Sequence, residues 1–229
     1  MRRVAVYAGT RNVYDMMAAA CKSLLKHTRM DKVYFIIEDE QFPEPIPKVI
    51  ETRTVKWTDY INPASPNVTD RWTYMSLIRL ILPDLLPAET TVLWLDVDTI
   101  VEDDIAPLFG IDLCGNYVAM VEEPIRSKYP FVYHNAGVML MDLCELRRDR
   151  MMRKWLELIN STPYTALDQD VINLTCQGYI LTIGPEWNSA GVITQDAEDP
   201  YIRHYAGYLR PSGAAVFEKY RNSEWRVKQ

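Results

Sequence analysis

The chain has 229 residues, enough to bury the core of one domain, and we expect a single domain over residues 1–229. Apolar residues make up 48% and charged residues 24%, a balance that is typical of globular enzymes and excludes a disordered or fibrous chain. The formal net charge of −6 argues against a nucleic-acid partner, which would demand an excess of Lys and Arg.

The sequence also indicates a compartment. It has no apolar run of about 18 residues, so we expect no membrane span. The first apolar run is too short for a signal peptide and leads directly into a predicted strand. The scattered cysteines contain no CxxC pair, and this usage is typical of reduced, mostly buried thiols. Together these features predict a cytoplasmic protein.

The opening of the chain predicts a β-α-β unit. Residues 3–8 form a short apolar run that ends at Gly9. Residues 13–27 carry apolar side chains at helical spacing, and residues 32–37 are again rich in β-forming side chains. This order is typical of a parallel sheet covered by helices.

The later elements continue an α/β pattern. A proline-rich irregular segment covers residues 38–67, and a helix within residues 70–86 is expected to stop near Pro83. Residues 91–95 form an uncharged run, as expected for a central strand that is buried on both faces. Further predicted elements are strands at residues 49–55, 117–121 and 136–141 and a helix at residues 147–160. We therefore predict an α/β fold with a mostly parallel central sheet flanked by helices.

Two aspartates follow the uncharged strand directly, as Asp96-Val97-Asp98. In an extended chain alternate side chains point the same way, so both carboxylates would project together while Val97 points back into the protein. Such a pair is costly to bury unless a cation lies between the carboxylates, and these ligands suit Mn²⁺ or Mg²⁺. The carboxyl end of a parallel strand is also the usual ligand-binding edge of an α/β sheet. The alternative is that the aspartates serve as helix caps or turn formers.

Three further segments combine polar side chains with structural signals. Asn135-Ala136-Gly137 opens a predicted buried strand, where small residues either admit a ligand close to the backbone or simply form a turn. Asp168-Gln169-Asp170 precedes an apolar run, and acidic residues are common in the first turn of a helix. His204-Tyr205-Ala206-Gly207 contains one of the three histidines, which is either structural or a ligand.

Taken in order, these elements resemble those of the family 8 glycosyltransferases, the retaining group that includes glycogenin and bacterial galactosyltransferases. The resemblance covers nearly the whole chain, from the loop at residues 8–14 to Gly207. It implies a GT-A fold, which is a Rossmann-like nucleotide-binding architecture. It also implies a UDP-sugar as the donor substrate and Mn²⁺, or Mg²⁺ in its place, as the cofactor.

The resemblance also assigns site residues by position. Asp96, Asp98 and His204 would bind the metal, with His204 reaching it from a loop that closes over the nucleotide. Asp168 and Gln169 would act at the donor sugar. The residues that would contact the sugar nucleotide are Ala8, Thr10, Asn12, Arg79, Asp96, Val97, Asn135, Ala136, Gly207 and Arg210.

The chain departs from the family pattern at two points. Family members usually carry an acidic residue where Thr10 or Arg11 falls, and their aromatic residue is offset here to Val13 or Tyr14. These differences leave the contacts to the base open. Arg210 stands where the family usually has a Lys after the glycine, and Arg can hold a phosphate at least as well.

The implied reaction moves a hexose from UDP to an acceptor nucleophile and keeps the anomeric configuration. Asp168 is the candidate nucleophile for a double displacement, but we favour same-face attack. The acceptor is a carbohydrate, a lipid-linked glycan or a protein, and Tyr129, Tyr133 and Trp187 either stack on its sugar rings or form packed cover. The alternatives are a sugar-nucleotide pyrophosphorylase or other nucleotidyltransferase, and a non-catalytic protein that binds nucleotide sugars.

Overall fold

A computed structural model describes residues 2–69, 74–124, 129–206 and 211–229. In chain order its strands are β1 (Val4–Gly9), β2 (Lys32–Ile37), β3 (Ile50–Thr54), β4 (Thr91–Leu95), β5 (Thr99–Val101), β6 (Val118–Glu122), β7 (His134–Asp142), β8 (Ile180–Ile183) and β9 (Ile202–His204). Its α-helices are α1 (Tyr14–His27), α2 (Leu82–Leu85), α3 (Leu143–Arg148), α4 (Met151–Ser161), α5 (Leu167–Thr175) and α6 (Pro211–Arg221). Shorter 3-10 helices cover Arg11–Val13, Trp57–Asp59, Tyr74–Ile81, Ala106–Gly110 and Pro185–Trp187.

Seven of these strands form one sheet in the order β3-β2-β1-β4-β7-β6-β8, and β5 pairs with β9 in a separate two-stranded sheet. In the large sheet β1 runs parallel to β2 and β4, β2 runs parallel to β3, and β6 runs parallel to β8. Among its described strands β7 alone is antiparallel to its neighbours, β4 and β6. The prediction of a mostly parallel central sheet is therefore confirmed.

Helices cover both faces of the large sheet. Along β1 the side chains alternate, so that Ala5 and Tyr7 join a hydrophobic cluster with α1 and α6, while Val4 and Val6 join a second cluster with α3, α4 and α5. β4 carries no charge because its last four residues are buried between these two layers. The carboxyl ends of the parallel strands β1, β4 and β6 consequently meet at one edge of the sheet.

The predicted helix at residues 147–160 is wrong in its extent, because the structure divides this segment. α3 ends at Arg148 and α4 begins at Met151, with Arg150 between them in the left-handed region at φ 54°. A left-handed residue cannot continue a right-handed helix, and its direction change lets both helices pack on the sheet. Arg150 is not a glycine, so no local signal in the sequence indicates this turn.

The helix predicted to stop near Pro83 instead continues through this proline to Leu85. Pro83 lies in the first turn of α2, where its missing N–H would have had no partner within the helix. The preceding segment forms the 3-10 helix Tyr74–Ile81. All four cysteines are free, as expected, but Cys114 and Cys144 are exposed, so the thiols are not mostly buried. No described helix is long and apolar enough to cross a membrane.

Glycine should have opposite effects on stability at two exposed basic positions, Arg150 in the turn and Lys154 within α4. At Arg150, Gly should give a more stable protein than Ala by about 1 kcal/mol, because an L side chain is strained in the left-handed region. At Lys154, in the middle of α4, Ala should instead be more stable than Gly by about 1 kcal/mol. Urea denaturation of the four variants measures both differences, and the same sign at both positions would contradict the assigned backbone.

Candidate metal site at the carboxyl edge of the sheet

The Asp96-Val97-Asp98 segment forms a turn directly after β4. The carbonyl oxygen of Asp96 accepts hydrogen bonds from the backbone N–H of Thr99 at 3.2 Å and from its hydroxyl at 2.7 Å. The extended geometry predicted for this segment is therefore wrong, but the turn still brings both carboxylates to the same side. The backbone N–H of Asp96 donates to the carbonyl of Gly137 at 2.8 Å, which ties the turn to β7.

His204 joins the two carboxylates. Its Nε2 lies 3.2 Å from Asp98 Oδ1 and 4.0 Å from Asp96 Oδ2, and one ligand atom from each of the three residues lies within 4.8 Å of the others. His204 is buried as the last residue of β9, which pairs with β5 in the register Thr99 to His204. The expectation that it reaches the site from a loop is corrected, because a strand delivers it.

The spacing of these three side chains fits a divalent cation. Ligand atoms about 2.1 Å from an octahedral cation lie about 3 Å apart when adjacent and about 4.2 Å apart when opposite. The distances from His204 Nε2 to Asp98 Oδ1, 3.2 Å, and to Asp96 Oδ2, 4.0 Å, fall between these two values. Side-chain exposures of 26% for Asp96 and 23% for Asp98 leave room for further ligands. Two carboxylates with one imidazole are a donor set that Mn²⁺ accepts, and Mg²⁺ accepts the carboxylates.

The charges of the cluster act on one another. Burial raises the pKa of Asp96, and the neighbouring Asp98 raises it further against the opposing charge of Arg79. Burial also disfavours the charged form of Asp98, but His204 overrides it and holds the pKa of Asp98 below its usual range. The two carboxylates in turn raise the pKa of His204 against the effect of its burial. The site therefore attracts positive charge.

Gly137 is the residue that lets His204 approach. A Cβ atom on Gly137 would lie 2.1 Å from Cε1 and 2.6 Å from Nδ1 of the His204 ring, closer than any real contact. The sequence left open whether this backbone admits a ligand or forms a plain turn, and the structure places an imidazole of the same chain in this space.

Arg79 and Asp168 lie beside the cluster and bind each other. Nε of Arg79 forms an ion pair with Asp168 Oδ2 at 2.9 Å, and Nη2 of Arg79 donates to Asp96 Oδ1 at 2.9 Å. Arg79 also donates to the carbonyl oxygens of Ser76 and Ala136. Burial raises the pKa of Asp168 to about 7, although Arg79 opposes this shift. Arg79 is thus held in one orientation by these protein groups.

Gln169 stands in the first turn of α5, next to β7. Its Oε1 accepts from the backbone N–H of Ala136 at 2.8 Å, and its Nε2 donates to Glu123 Oε2 at 3.0 Å. Asn135, the neighbour of Ala136, donates from Nδ2 to the same Glu123 oxygen at 2.8 Å. Glu123 therefore joins Asn135 and Gln169, two of the residues predicted to contact the sugar nucleotide.

The loop after β1 carries the other predicted nucleotide contacts. Ala8 lies near the end of β1, which is buried throughout, and Thr10 is buried with a hydroxyl that has no hydrogen-bond partner among the described residues. Asn12 is exposed on the short 3-10 helix Arg11–Val13. Val97 is partly buried and packs against the core, as the sequence predicted. The predicted contacts Gly207 and Arg210 lie outside the described residues.

Sequence reasoning missed two residues of this region, Asn188 and Glu123. Asn188 accepts from His204 Nδ1 at 2.8 Å, and both residues are buried. They follow β8 and β6 at the same edge of the sheet, which only the strand order reveals.

Two of the aromatic candidates for sugar stacking are packed cover instead. Trp187 stacks on Tyr201 with ring centroids 4.3 Å apart and is 9% exposed. Tyr133 is buried and donates its hydroxyl hydrogen to Asp170 Oδ1 at 2.6 Å. Tyr129, the third candidate, stacks on Tyr133 with centroids 5.0 Å apart.

A Gly137→Ala substitution tests the contact with His204. We expect the new methyl group to displace the imidazole and to weaken Mn²⁺ binding by about tenfold or more, the effect of losing a well-placed ligand. Isothermal titration calorimetry with MnCl₂ measures this, alongside thermal denaturation to show that the variant is folded. The control is Gly110→Ala, because no described heavy atom lies within 4 Å of the added Cβ. Equal Mn²⁺ affinity in both variants would contradict the assigned role of Gly137.

Comparison with solved structures identifies the fold. The galactosyltransferase LgtC, solved in complex with donor and acceptor sugar analogs, superposes with a TM-score of 0.79 at 20% identity, over 99% of this chain and 98% of LgtC. GlyE of Streptococcus pneumoniae TIGR4 superposes with a TM-score of 0.75 at 21% identity, over 98% of this chain and 61% of GlyE. The chain therefore has the GT-A fold, as predicted.

Curated relatives are longer than the matched region. General stress protein A of Bacillus subtilis is 26% identical over 174 residues, which are 63% of this chain and 61% of the relative. Glycosyltransferase GlyA of Streptococcus pneumoniae is 24% identical over 243 residues, covering 98% of this chain, and this chain spans 34% of its length. The model of glycosyl transferase family 8 matches residues 5–211. Since this match covers most of the chain, the chain belongs to glycosyl transferase family 8.

Proposed function

We propose that this domain is a retaining glycosyltransferase that moves a hexosyl group from a UDP-sugar to an acceptor, with Mn²⁺ as its cofactor and Mg²⁺ as the alternative. The observation that carries the proposal is the cluster of Asp96, Asp98 and His204 at the carboxyl edge of the sheet. In an open α/β sheet this edge is where ligands bind. Membership of glycosyl transferase family 8 supports the reaction class, and a cation at this site would neutralise the diphosphate of a sugar nucleotide.

Asp96, Asp98 and His204 would hold the cation. When bound, it would neutralise the diphosphate and act as a Lewis acid on its oxygens. Arg79 fixes one oxygen of Asp96, and Trp94 Nε1 donates to the same oxygen at 2.8 Å. Asp96 therefore presents its other oxygen to the site in one orientation.

The loop after β1 is the proposed place of the nucleoside. In this loop the hydroxyl of Thr10 is buried and has no hydrogen-bond partner among the described residues. A buried polar group without a protein partner normally binds a ligand or water. A hydroxyl can either donate or accept, so it suits the amide-like edge of a uracil. Asn12 lies exposed beside it.

The arrangement of Asp168 supports same-face attack rather than a double displacement through this residue. Its side chain is 6% exposed and bound to Arg79, and its pKa near 7 leaves the carboxyl protonated in part of the molecules at neutral pH. Both conditions make a poor nucleophile. Gln169 is a neutral amide whose two ends are held, so we assign it to orienting the sugar. A glycosyl adduct on Asp168, detected by mass spectrometry, would contradict this preference.

The acceptor that we propose is a carbohydrate, because the LgtC complex contains acceptor sugar analogs. A lipid-linked glycan or a glycosylated protein would present the same kind of hydroxyl nucleophile. The nucleotidyltransferase alternative draws no support from the family match, which names a glycosyl transferase.

A titration of UDP-glucose and UDP-galactose with and without Mn²⁺ tests the proposal. We expect at least one of the two to bind in a Mn²⁺-dependent manner, and Asp98→Asn to weaken that binding by about tenfold or more because a ligand charge is lost. The control is Asp103→Asn, an exposed aspartate that is not part of the cluster, which should bind like the wild type. Tight binding of either sugar nucleotide without a metal, or equal binding by the Asp98 variant, would contradict the proposed site.

A further inference from the structure

A chain of buried hydrogen bonds runs from His204 away from the proposed cation site. His204 Nδ1 lies 2.8 Å from Asn188 Oδ1, Asn188 Nδ2 lies 2.9 Å from Asn135 Oδ1, and Asn135 Nδ2 lies 2.8 Å from Glu123 Oε2. Asn188 is fully buried, and Asn135 and Glu123 are 6% and 4% exposed. These side chains are therefore shielded from bulk solvent.

The direction of every bond in the chain follows from one backbone group. The N–H of Gly137 donates to Asn135 Oδ1 at 2.9 Å, and a backbone N–H can only donate. Oδ1 of Asn135 is thus its acceptor end, and its amide nitrogen faces the carboxylate of Glu123. Since Asn135 Oδ1 must receive a hydrogen from Asn188, the amide nitrogen of Asn188 faces Asn135.

The same order fixes the tautomer of His204. Asn188 presents its carbonyl oxygen to the ring, so Nδ1 of His204 must carry a hydrogen. In the neutral imidazole the lone pair is then on Nε2, the atom that lies 3.2 Å from Asp98 Oδ1. This is the nitrogen that would bind the cation.

The far end of the chain holds Gln169. Glu123 Oε2 accepts from Gln169 Nε2 at 3.0 Å in addition to Asn135 Nδ2. The backbone N–H of Ala136 donates to Gln169 Oε1 at 2.8 Å, so neither end of this amide can turn. The carboxylate of Glu123 therefore orients both Asn135, which leads through Asn188 to His204, and the amide of Gln169, which we assign to the sugar.

We propose that Glu123, Asn135 and Asn188 form a positioning relay that fixes the Nδ1–H tautomer of His204 for metal binding and holds Gln169 at the sugar. The metal and the sugar in this inference come from the proposed function, whereas the hydrogen bonds of the relay do not depend on it. Glu123 and Asn188 act through their neighbours and are positioning residues. Substitution of a residue that positions a metal ligand in this way typically lowers metal affinity by about 10- to 100-fold.

Two substitutions of Asn188 separate positioning from packing. Asn188→Asp keeps an oxygen that accepts from His204 Nδ1–H, and in its protonated form it can also donate to Asn135 Oδ1. Asn188→Leu removes both bonds. We expect Mn²⁺ affinity, measured by calorimetry, to fall about 10- to 100-fold in the Leu variant and to recover to within a few-fold of wild type in the Asp variant.

The tautomer is measured directly by ¹⁵N NMR of the histidine side chains in the metal-free protein, in the alkaline range where the imidazole is neutral. We expect the wild-type His204 to carry its hydrogen on Nδ1 and the Leu variant to lose this preference. The control is Asn116→Leu, a partly buried asparagine at the amino end of β6 whose Nδ2 donates to the carbonyl of Leu113. It should lose some thermal stability without any change in tautomer or Mn²⁺ affinity.

The outcomes distinguish the two proposals. An Nε2–H tautomer in the wild type, or an Asn188→Leu variant that binds Mn²⁺ as tightly as the wild type, would overturn the relay. A wild-type protein with the Nδ1–H tautomer that binds no Mn²⁺ would instead overturn the proposed cation site while supporting the relay as a structural feature.

Discussion

The repulsion between Asp96 and Asp98 is the constraint around which the surrounding structure is arranged. Two carboxylates held by one turn at the end of a buried strand raise each other's free energy unless positive charge or hydrogen bonds offset it. Arg79 and Trp94 bind one oxygen of Asp96, and His204 approaches Asp98. One ligand atom from each of Asp96, Asp98 and His204 lies within 4.8 Å of the others, a separation that the proposed divalent cation would fit.

The mixed direction of the sheet makes this arrangement possible. β4 and β6 end at the edge where the antiparallel β7 begins, so β7 delivers Asn135 and Gly137 from its start while β4 delivers the aspartates from its end. β9 pairs with β5, which follows the aspartates, and this pairing places His204 opposite Thr99 beside the cluster. Gly137 provides the space for the imidazole. His204 lies in a strand, and the hydrogen bond from the Asp96 N–H to the carbonyl of Gly137 anchors the turn that carries the aspartates.

Much of this could be predicted from the sequence because the signals are local. The uncharged run at residues 91–95 indicates a buried strand, and the aspartates after it indicate the end of that strand. The small residues after Asn135 indicate that another group can lie close to the backbone there. What could not be predicted depends on distant parts of the chain meeting. Glu123 and Asn188 have ordinary sequence surroundings, and only the order of β6, β7 and β8 brings them to one buried chain of hydrogen bonds.

The errors in secondary structure have a similar origin. Arg150 adopts a left-handed conformation because two helices must pack on one face of the sheet, and no local preference of Arg announces it. Pro83 indicates a helix boundary correctly, but its position fits a first turn as well as a stop. The geometry of the Asp96 turn likewise depends on the hydroxyl of Thr99, which a pattern of alternating side chains does not consider.

The central claim is that Asp96, Asp98 and His204 hold one divalent cation that receives the diphosphate of a sugar nucleotide. Anomalous X-ray scattering from crystals grown with MnCl₂ and UDP measures this directly. The account predicts a single manganese peak within coordination distance of all three side chains and of the diphosphate oxygens. A manganese peak elsewhere, or bound UDP with no manganese at these side chains, would contradict it.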